Sequence, residues 1–460
     1  MSVLEKLQQA ENLRKKNERN LNILEKPLPP EEGTALVPVV KESHHDSPDL
    51  FRQSLAKRRH REKTASSGQP LLSSRPTGRV KIDGGQNRTN ECGSYLYRKL
   101  DSPDTWPNPE WMRSGKLACI SGLVCQLQGE ALPSELSQIA FLDTETTGLS
   151  GGTGNYAFLV GIASWEKEKL VVDQYLMRDF HEEPAMLAAL AERLKSVRVL
   201  VTFNGKSFDV PLLKSRFTMA RRTWPLNSHF HLDLLFPARR IWKLRLGDCR
   251  LGNLEKEVLG TGRMDDVPGY LIPQIYFEFT RSGNPVDLIR VLEHNVLDLV
   301  SLAQLTLKVG EILHGKQKNS LFPEDLFSVG NYFQQCGEFE TARSWNQAAL
   351  NFPLERELRL SVLRNLAVLY RTRKLYSNAA ELWTQMVEES STFQEEAYEA
   401  LSIHYEHREK DLAKALEMTG EALRLAGRDT DLNRWMHRRN RLLRKIQLQR
   451  SSSHLPGTLS

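Results

Sequence analysis

The pattern that most limits the fold is a succession of short apolar runs, "IAFLDTE", "AFLVGIASWE", "KLVVDQYLM" and "VRVLVTFNG", with "PAMLAALAERLKSV" between the third and the fourth. Apolar runs of this length, bounded by turn residues, read as strands, whereas the intervening stretch has the three-to-four-residue spacing of an amphipathic helix. Strands that follow one another through short turns pair antiparallel; a strand reached through a helix can return parallel. The order therefore predicts an α/β domain, a mixed sheet with an antiparallel portion, flanked by helices. An earlier run, "KLACISGLVCQL", is expected to add a strand, and further helices are expected at 208 to 217, 251 to 259 and 286 to 312.

Beyond Leu321 the pattern turns all-helical and repeats. Val329, Leu366 and Leu401 align, and the same register aligns Phe333, Tyr370 and Tyr405, then Ala342, Ala379 and Ala415, then Ala349, Met386 and Ala422. The period is close to the ~34 residues of a tetratricopeptide helix-turn-helix unit, with about three units present. The glycine position of that unit holds Gly330, Ala367 and Ser402, so a generic array of helical hairpins fits as well.

Residues 1 to 26 carry leucines among charges and are expected to form an amphipathic helix. From 27 to 110 the composition shifts to Pro, Ser, Gly, Asn and basic residues, which cannot bury enough apolar surface to offset ordering entropy, so a disordered basic linker is expected. The sheet domain is placed at 111 to 315, the repeats at 321 to 447 and a disordered tail at 448 to 460. No segment approaches the ~20 apolar residues needed to cross a bilayer, and no secretory signal opens the chain. The five cysteines, at 92, 119, 125, 249 and 336, have neither paired spacing nor an even count. A cytoplasmic protein without disulfides or a membrane partner is expected.

The net charge of +6 is unevenly spread, with "KRRHREK" at 57 to 63 and "RWMHRRNRLLRK" at 434 to 445. Either run suits an anionic partner, and either is equally a solvated tract or an exposed helix face. Charge alone does not establish nucleic-acid binding.

Chemistry points instead to the acids. Asp143 and Glu145, two apart on a strand, share one side of the sheet where the strand stops before Gly148. Two such carboxylates repel unless a cation joins them, and hard divalent cations take oxygen ligands. Asp209 sits in the first turn of the helix after "VRVLVTFNG", and His294 and Asp298, four apart, share one face of the helix "LIRVLEHNVLDLVSLAQL". The chain thus offers four acids on three separate elements.

These residues carry a resemblance. "LDTETTGL", "NGKSFD" and "HNVLD" resemble the three motifs of the DEDD (DnaQ-like) 3′–5′ exonuclease superfamily, and "TGLSGGTGNYAFLVGI", "VPGYLIPQIYFEF" and "VLEHNVLDLVSLAQL" resemble the YprB-type bacterial proteins, which also carry C-terminal tetratricopeptide repeats. The resemblance covers roughly residues 111 to 447. It implies a ribonuclease-H-like sheet domain followed by an all-α tetratricopeptide-like repeat domain, and hydrolysis of nucleic-acid phosphodiester bonds from a single-stranded 3′ end. It also implies two Mg²⁺ or Mn²⁺ ions roughly 4 Å apart, one generating hydroxide and the other stabilising the leaving 3′ oxygen. Asp143, Glu145, Asp209 and Asp298 would hold the metal, with Asp143 bridging both ions. Thr144, Thr146, Thr147 and Leu149 occupy the positions that meet the terminal nucleotide, and Asn204 and Phe208 resemble the substrate-facing pair of the second motif. The family places a histidine five residues, or a tyrosine four residues, before the last aspartate, whereas this chain has His294 at the tyrosine spacing. His294 is therefore either the group that orients or deprotonates the attacking water or a helix-surface partner of Asp298.

Three further features have plainer readings. "NGKS" at 204 to 207 lacks the earlier glycine of a phosphate loop, since Leu200 stands there. "HFHLDLLFPARR" at 229 to 240 is expected to hold a structural histidine or a substrate contact rather than a metal ligand, with Arg239, Arg240, Lys243 and Arg245 behind it as candidates for phosphate contact. The repeats suit a protein partner. Two competing functions remain open on these residues: a non-catalytic scaffold that binds nucleic acid or protein, and a structure-specific endonuclease using the same acids.

Overall fold

The computed structural model describes residues 82–101, 136–148, 154–166, 169–226, 230–263, 266–315, 318–427 and 430–453. The expected helix over 1–26, most of the expected linker, the run "KLACISGLVCQL" and Leu149 lie outside the described residues.

Seven strands make one sheet: β1 (Gly85–Asn90), β2 (Gly93–Asp101), β3 (Ile139–Thr146), β4 (Ala157–Glu166), β5 (Lys169–Leu176), β6 (Val199–Thr202) and β7 (Phe230–Asp233). They lie in the order β1-β2-β5-β4-β3-β6-β7. β3, β4 and β5 pair antiparallel, while β6 joins β3 in parallel after α1 (Glu183–Leu194), as the element order requires. β7 extends the parallel side after α2 (Asp209–Met219) and precedes α3 (Leu235–Leu246).

The hairpin β1–β2 corrects the reading of 27–110 as linker. β2 adds to the edge of β5 in register from Leu96↔Leu176 to Asp101↔Val171. Tyr95, Leu96 and Tyr97 are buried, and the Tyr97 hydroxyl donates to Asp173 Oδ1 at 2.5 Å. A short strand flanked by Gly, Asn and Arg looks polar on average; its partner is distant in sequence, so composition along the chain does not reveal the pairing.

Alternation along β3 divides the interior. Ile139 and Phe141 enter one apolar cluster, Ala140 and Leu142 the other, on opposite faces of the sheet. The second cluster is closed by α1, α2, α5 (Ile272–Ser282), which follows the short α4 (Leu251–Leu254), and the first turns of α6 (Val286–Leu313). The first cluster runs from the sheet through the C-terminal half of α6 into α7 (Pro323–Gln335), α8 (Phe339–Leu350) and α9 (Arg356–Thr372). The sheet domain and the first helical hairpin therefore share one core. Arg245, a candidate for phosphate contact, is spent at this junction: its Nε donates to both oxygens of the buried Asp325 carboxylate at 3.0 Å.

The hairpins continue with α10 (Tyr376–Glu389), α11 (Glu395–His404), α12 (Leu412–Leu425) and the terminal α13 (Leu432–Ser453). Val329, Leu366 and Leu401 are buried, as are Ala342, Ala379 and Ala415, whereas of Phe333, Tyr370 and Tyr405 only Phe333 is fully buried. Four of the six Arg and Lys side chains of the basic run on α13 pair within the chain, sharing two carboxylates. Arg434 and Arg438 meet Glu399, and Arg441 and Lys445 meet Glu406 at 2.5 and 2.8 Å. Among the described residues no helix is long and apolar enough to cross a membrane.

Candidate active site

β3 is buried along its first four residues and emerges at Asp143. Its neighbour in the ladder, directly opposite Asp143, is Gly161 on β4. A Cβ at Gly161 would lie 2.2 Å from Asn295 Oδ1 and 2.6 Å from Leu299 Cδ1, so the missing side chain is what lets α6 lie against the sheet. At that contact Asn295 Nδ2 donates to Asp143 Oδ2 at 2.8 Å, and Asn295 Oδ1 accepts from Gln174 Nε2 at 2.9 Å. The first carboxylate is thus fixed by a buried amide chain from α6 and β5.

Asp209 arrives by a different route. β6 ends at Thr202, Asn204 takes a left-handed conformation with φ of 66°, and α2 begins at Asp209. The turn is tied down by Asp233, whose carboxylate accepts from the backbone N–H of Asn204 at 2.7 Å, Lys206 at 3.0 Å and Leu235 at 3.1 Å. His231 Nε2 lies 2.8 Å from Thr202 Oγ1. The described part of "HFHLDLL" is therefore structural. Thr144 Oγ1 donates to Asp209 Oδ1 at 2.5 Å, joining the strand to the helix.

From α6, His294 and Asp298 face the same place. His294 Nε2 lies 3.6 Å from Asp298 Oδ2 and 3.9 Å from Glu145 Oε1. Glu145, His294 and Asp298 each offer one donor atom within 4.8 Å of the others, the set among the described residues best placed to share an ion. Asp143 and Asp209 adjoin this set and are coupled to it by charge.

Four residues here were not singled out from the sequence. Arg263 bridges Glu255 and Asp298 through Nη2, while its Nη1 pairs with Asp266 at 3.0 Å. Asp266 Oδ1 lies 2.8 Å from His294 Nδ1. Asn295, the fourth, could have been found: it precedes Asp298 by one helical turn on the face toward the sheet. Arg263 and Asp266 stand in a loop with no periodicity to place them.

The electrostatics show what the cluster lacks. Burial, then the carboxylates of Asp298, Glu145 and Asp209, push Asp143 well above the usual carboxylate range. Burial carries Glu145 to about 8 despite His294, and Asp209 to about 6 despite the Thr144 hydrogen bond. Burial opposes charge on His294, yet Asp298, the Asp266 hydrogen bond and Glu145 raise it to about 10. For Asp266 burial acts upward and is outweighed by His294 and Arg263, which hold it at about 2. Even beside an imidazolium and a guanidinium the acids remain short of positive charge. Carboxylate oxygens in that condition, with one imidazole beside them, suit a divalent cation.

The remaining residues expected at the site divide. Thr146 Oγ1 donates to the Gly148 carbonyl at 2.7 Å and Thr147 Oγ1 accepts from Tyr156 N–H at 2.9 Å, so both hydroxyls shape the turn out of β3. Phe208, just before Asp209, is 50% exposed.

Residues 140–309 match the family model described as the RNase_H superfamily. The chain is also similar to a Bacillus subtilis (strain 168) protein whose printed name is "Uncharacterized protein YprB". The two are 33% identical over 291 residues, 62% of this chain and 69% of that protein.

Proposed function

This chain belongs to the ribonuclease H superfamily, and from that premise we propose that it hydrolyses phosphodiester bonds of nucleic acid as a 3′–5′ exonuclease of the DEDD type. The observation that carries the proposal is the convergence of carboxylates from β3, α2 and α6: Glu145 and Asp298 lie with His294 in one ligand-sized cluster, and Asp143 and Asp209, raised chiefly by burial, adjoin it.

Asp143, Glu145, Asp209 and Asp298 are the residues that would hold two Mg²⁺ or Mn²⁺ ions. Such ions, when bound, supply a water nucleophile usable at neutral pH and charge stabilisation for the leaving oxygen. The chain's own residues prepare that site. Asn295 fixes the rotamer of Asp143, and Thr144 does the same for Asp209. Asp266 holds His294 by Nδ1, which leaves Nε2 facing Glu145 and Asp298. There it would orient the attacking water; Asp298, Asp266 and Glu145 raise its proton affinity to about 10, and Asp266, which is not among the metal-holding acids, would keep the ring a donor to that water.

Thr144, Thr146 and Thr147, whose hydroxyls are spent on Asp209 and on the turn, would frame the terminal nucleotide through their backbone. Asn204 and Phe208 face it from the second motif, Phe208 offering an exposed ring. The helical hairpins are tetratricopeptide-like repeats that present a surface to a protein partner.

The test is release of label from 3′-labelled single-stranded DNA and RNA by the purified protein in Mg²⁺ or Mn²⁺, beside Asp143→Ala and Asp298→Ala. Metal-dependent release by wild type, lost in both variants, is the expected result. Equal release by all three, or none by wild type, overturns it. A circular substrate should stay intact, and its cleavage would mark an endonuclease instead.

A further inference from the structure

A groove of about 530 Å³ opens beside the end of β3, lined by Gly148, Tyr270, Gln274, Phe277 and Arg281 among others. Gly148 is the point where the groove meets the carboxylate strand. Its carbonyl is held by Thr146, and a side chain at this position would strike Asn155, with a Cβ 2.4 Å from Asn155 Oδ1. The far wall is α5, which packs against β3 through its buried face.

The groove face of α5 breaks the usual division of an amphipathic helix. Ile272, Ile275, Tyr276 and Phe279 are buried, yet Phe277 is 39% exposed and Tyr270, just ahead of the helix, is 44% exposed. Phe180, 38% exposed, lies with its ring 6.5 Å from that of Phe277 and continues the aromatic surface. Leaving three rings in water has a cost that folding does not recover. Arg281 is exposed at the same wall, and no ion pair to it is seen among the described residues. Glu278 is occupied by the Gln274 amide at 3.0 Å. The wall thus combines exposed aromatic faces and an exposed guanidinium, and it reaches Gly148 two residues past the end of β3.

We propose that this groove is a stacking platform for single-stranded nucleic acid, on which the unpaired bases preceding the scissile linkage lie while Arg281 meets a phosphate. The inference rests on the nuclease reading, because it takes its polarity from a 3′ end at the carboxylates. Stacking suits every base, so the platform binds without sequence preference. The exposed guanidinium of Arg281 beside the rings supplies the positive charge that a chain of bases and phosphates needs.

The experiment measures binding of 5′-fluorescein-labelled dT10 and rU10 by anisotropy in Ca²⁺, with oligonucleotide integrity checked on a gel. Wild type is set beside Tyr270→Ala/Phe277→Ala, Phe277→Trp and Arg281→Gln. Hydrolysis of thymidine 5′-monophosphate p-nitrophenyl ester in Mn²⁺, which has no preceding bases, is followed in parallel. We expect the double variant to bind at least one oligonucleotide roughly tenfold or more weakly, and Phe277→Trp to bind like wild type. Arg281→Gln should flatten the salt dependence, and ester hydrolysis should stay within about twofold of wild type in all three. Because the substituted rings are exposed, thermal melting should not move; a variant that melts early is replaced by Phe277→Ser alone. Unchanged oligonucleotide binding in the double variant, or no binding by wild type, overturns the platform. Absence of both ester and oligonucleotide hydrolysis in wild type, with binding that still depends on the rings, overturns the nuclease reading and leaves the platform standing.

Discussion

Glu145 in the candidate site and Glu406 in the last helical hairpin are almost equally sealed from solvent, at 8% and 5% exposed. Their proton affinities nevertheless move in opposite directions. Burial raises Glu145 to about 8, with His294 alone pulling it down and Asp298, Asp209 and Asp266 adding to the rise. Burial also acts upward on Glu406, but Lys445 and Arg441 reverse it and hold that carboxyl below its usual range. Low surface exposure alone therefore does not separate the two acids, for Glu145 lies deep in packed protein and Glu406 close beneath its basic partners. What separates them is whether the fold supplies enough opposite charge. The hairpins complete their charge within the chain; the site leaves part of its charge to be completed from outside.

The comparison breaks most sharply at Asp143. Asp143→Asn keeps an oxygen for Asn295 and removes one of the repelling charges. It should lower nuclease turnover by about 10³-fold or more without lowering thermal stability in EDTA. A large fall in melting temperature would mean that this carboxylate serves the fold.

Gly161→Ala comes next, because it alters both sides of the contact that seats α6. Its Cβ would overlap Asn295 and Leu299, at a cost of about 1–3 kcal/mol or more. Turnover should fall together with stability, as calorimetry and the label-release assay would show. A stable but inactive protein would indicate that α6 had shifted without loss of packing.

The pH dependence should also differ between the regions. Asp209 and Glu145 are acids raised to about 6 and about 8, so the stability they confer is complete below the ordinary carboxylate range and is lost as pH rises through those values. His294, raised to about 10, loses its contribution in the same direction, from its ordinary range upward. Glu406 is depressed, so its contribution is present above the ordinary range and lost as pH falls. In EDTA the sheet domain should weaken as pH rises from about 4, with on the order of 2–3 kcal/mol lost through Asp209 by about pH 6.5 and the loss through Glu145 continuing to about pH 8, and Mn²⁺ should reverse the loss increasingly as pH rises. Scanning calorimetry at three pH values decides this, and a stability that rises with pH in EDTA would reverse the comparison.

The smallest effects belong to α13. Arg441→Ala removes a half-exposed partner of the buried Glu406 and should cost about 1–2 kcal/mol, whereas Arg434→Ala, at an exposed pair, should cost less than about 1 kcal/mol. Neither should change label release. Reduced oligonucleotide binding by both would return the basic helix to the nucleic-acid track that its ion pairs argue against.

Much of this was legible because it is local. The period of two in "IAFLDTE" and the period near 3.6 in "LIRVLEHNVLDLVSLAQL" predict β3 and α6, and those periods put Asp143 with Glu145 and His294 with Asp298 on common faces. The register of the hairpins was likewise readable, since equivalent positions must be buried in each unit. The sequence by itself thus determined the element types, the sheet-then-hairpin order and the four acids. Tertiary structure alone decided that Arg263 and Asp266 face the acids, that Gly161 admits Asn295, that residues 85–101 extend the sheet and that the two regions share a core. Each of these depends on groups brought together from distant parts of the chain. Their energies arise from distance and desolvation in the folded state, which no periodicity along the sequence records.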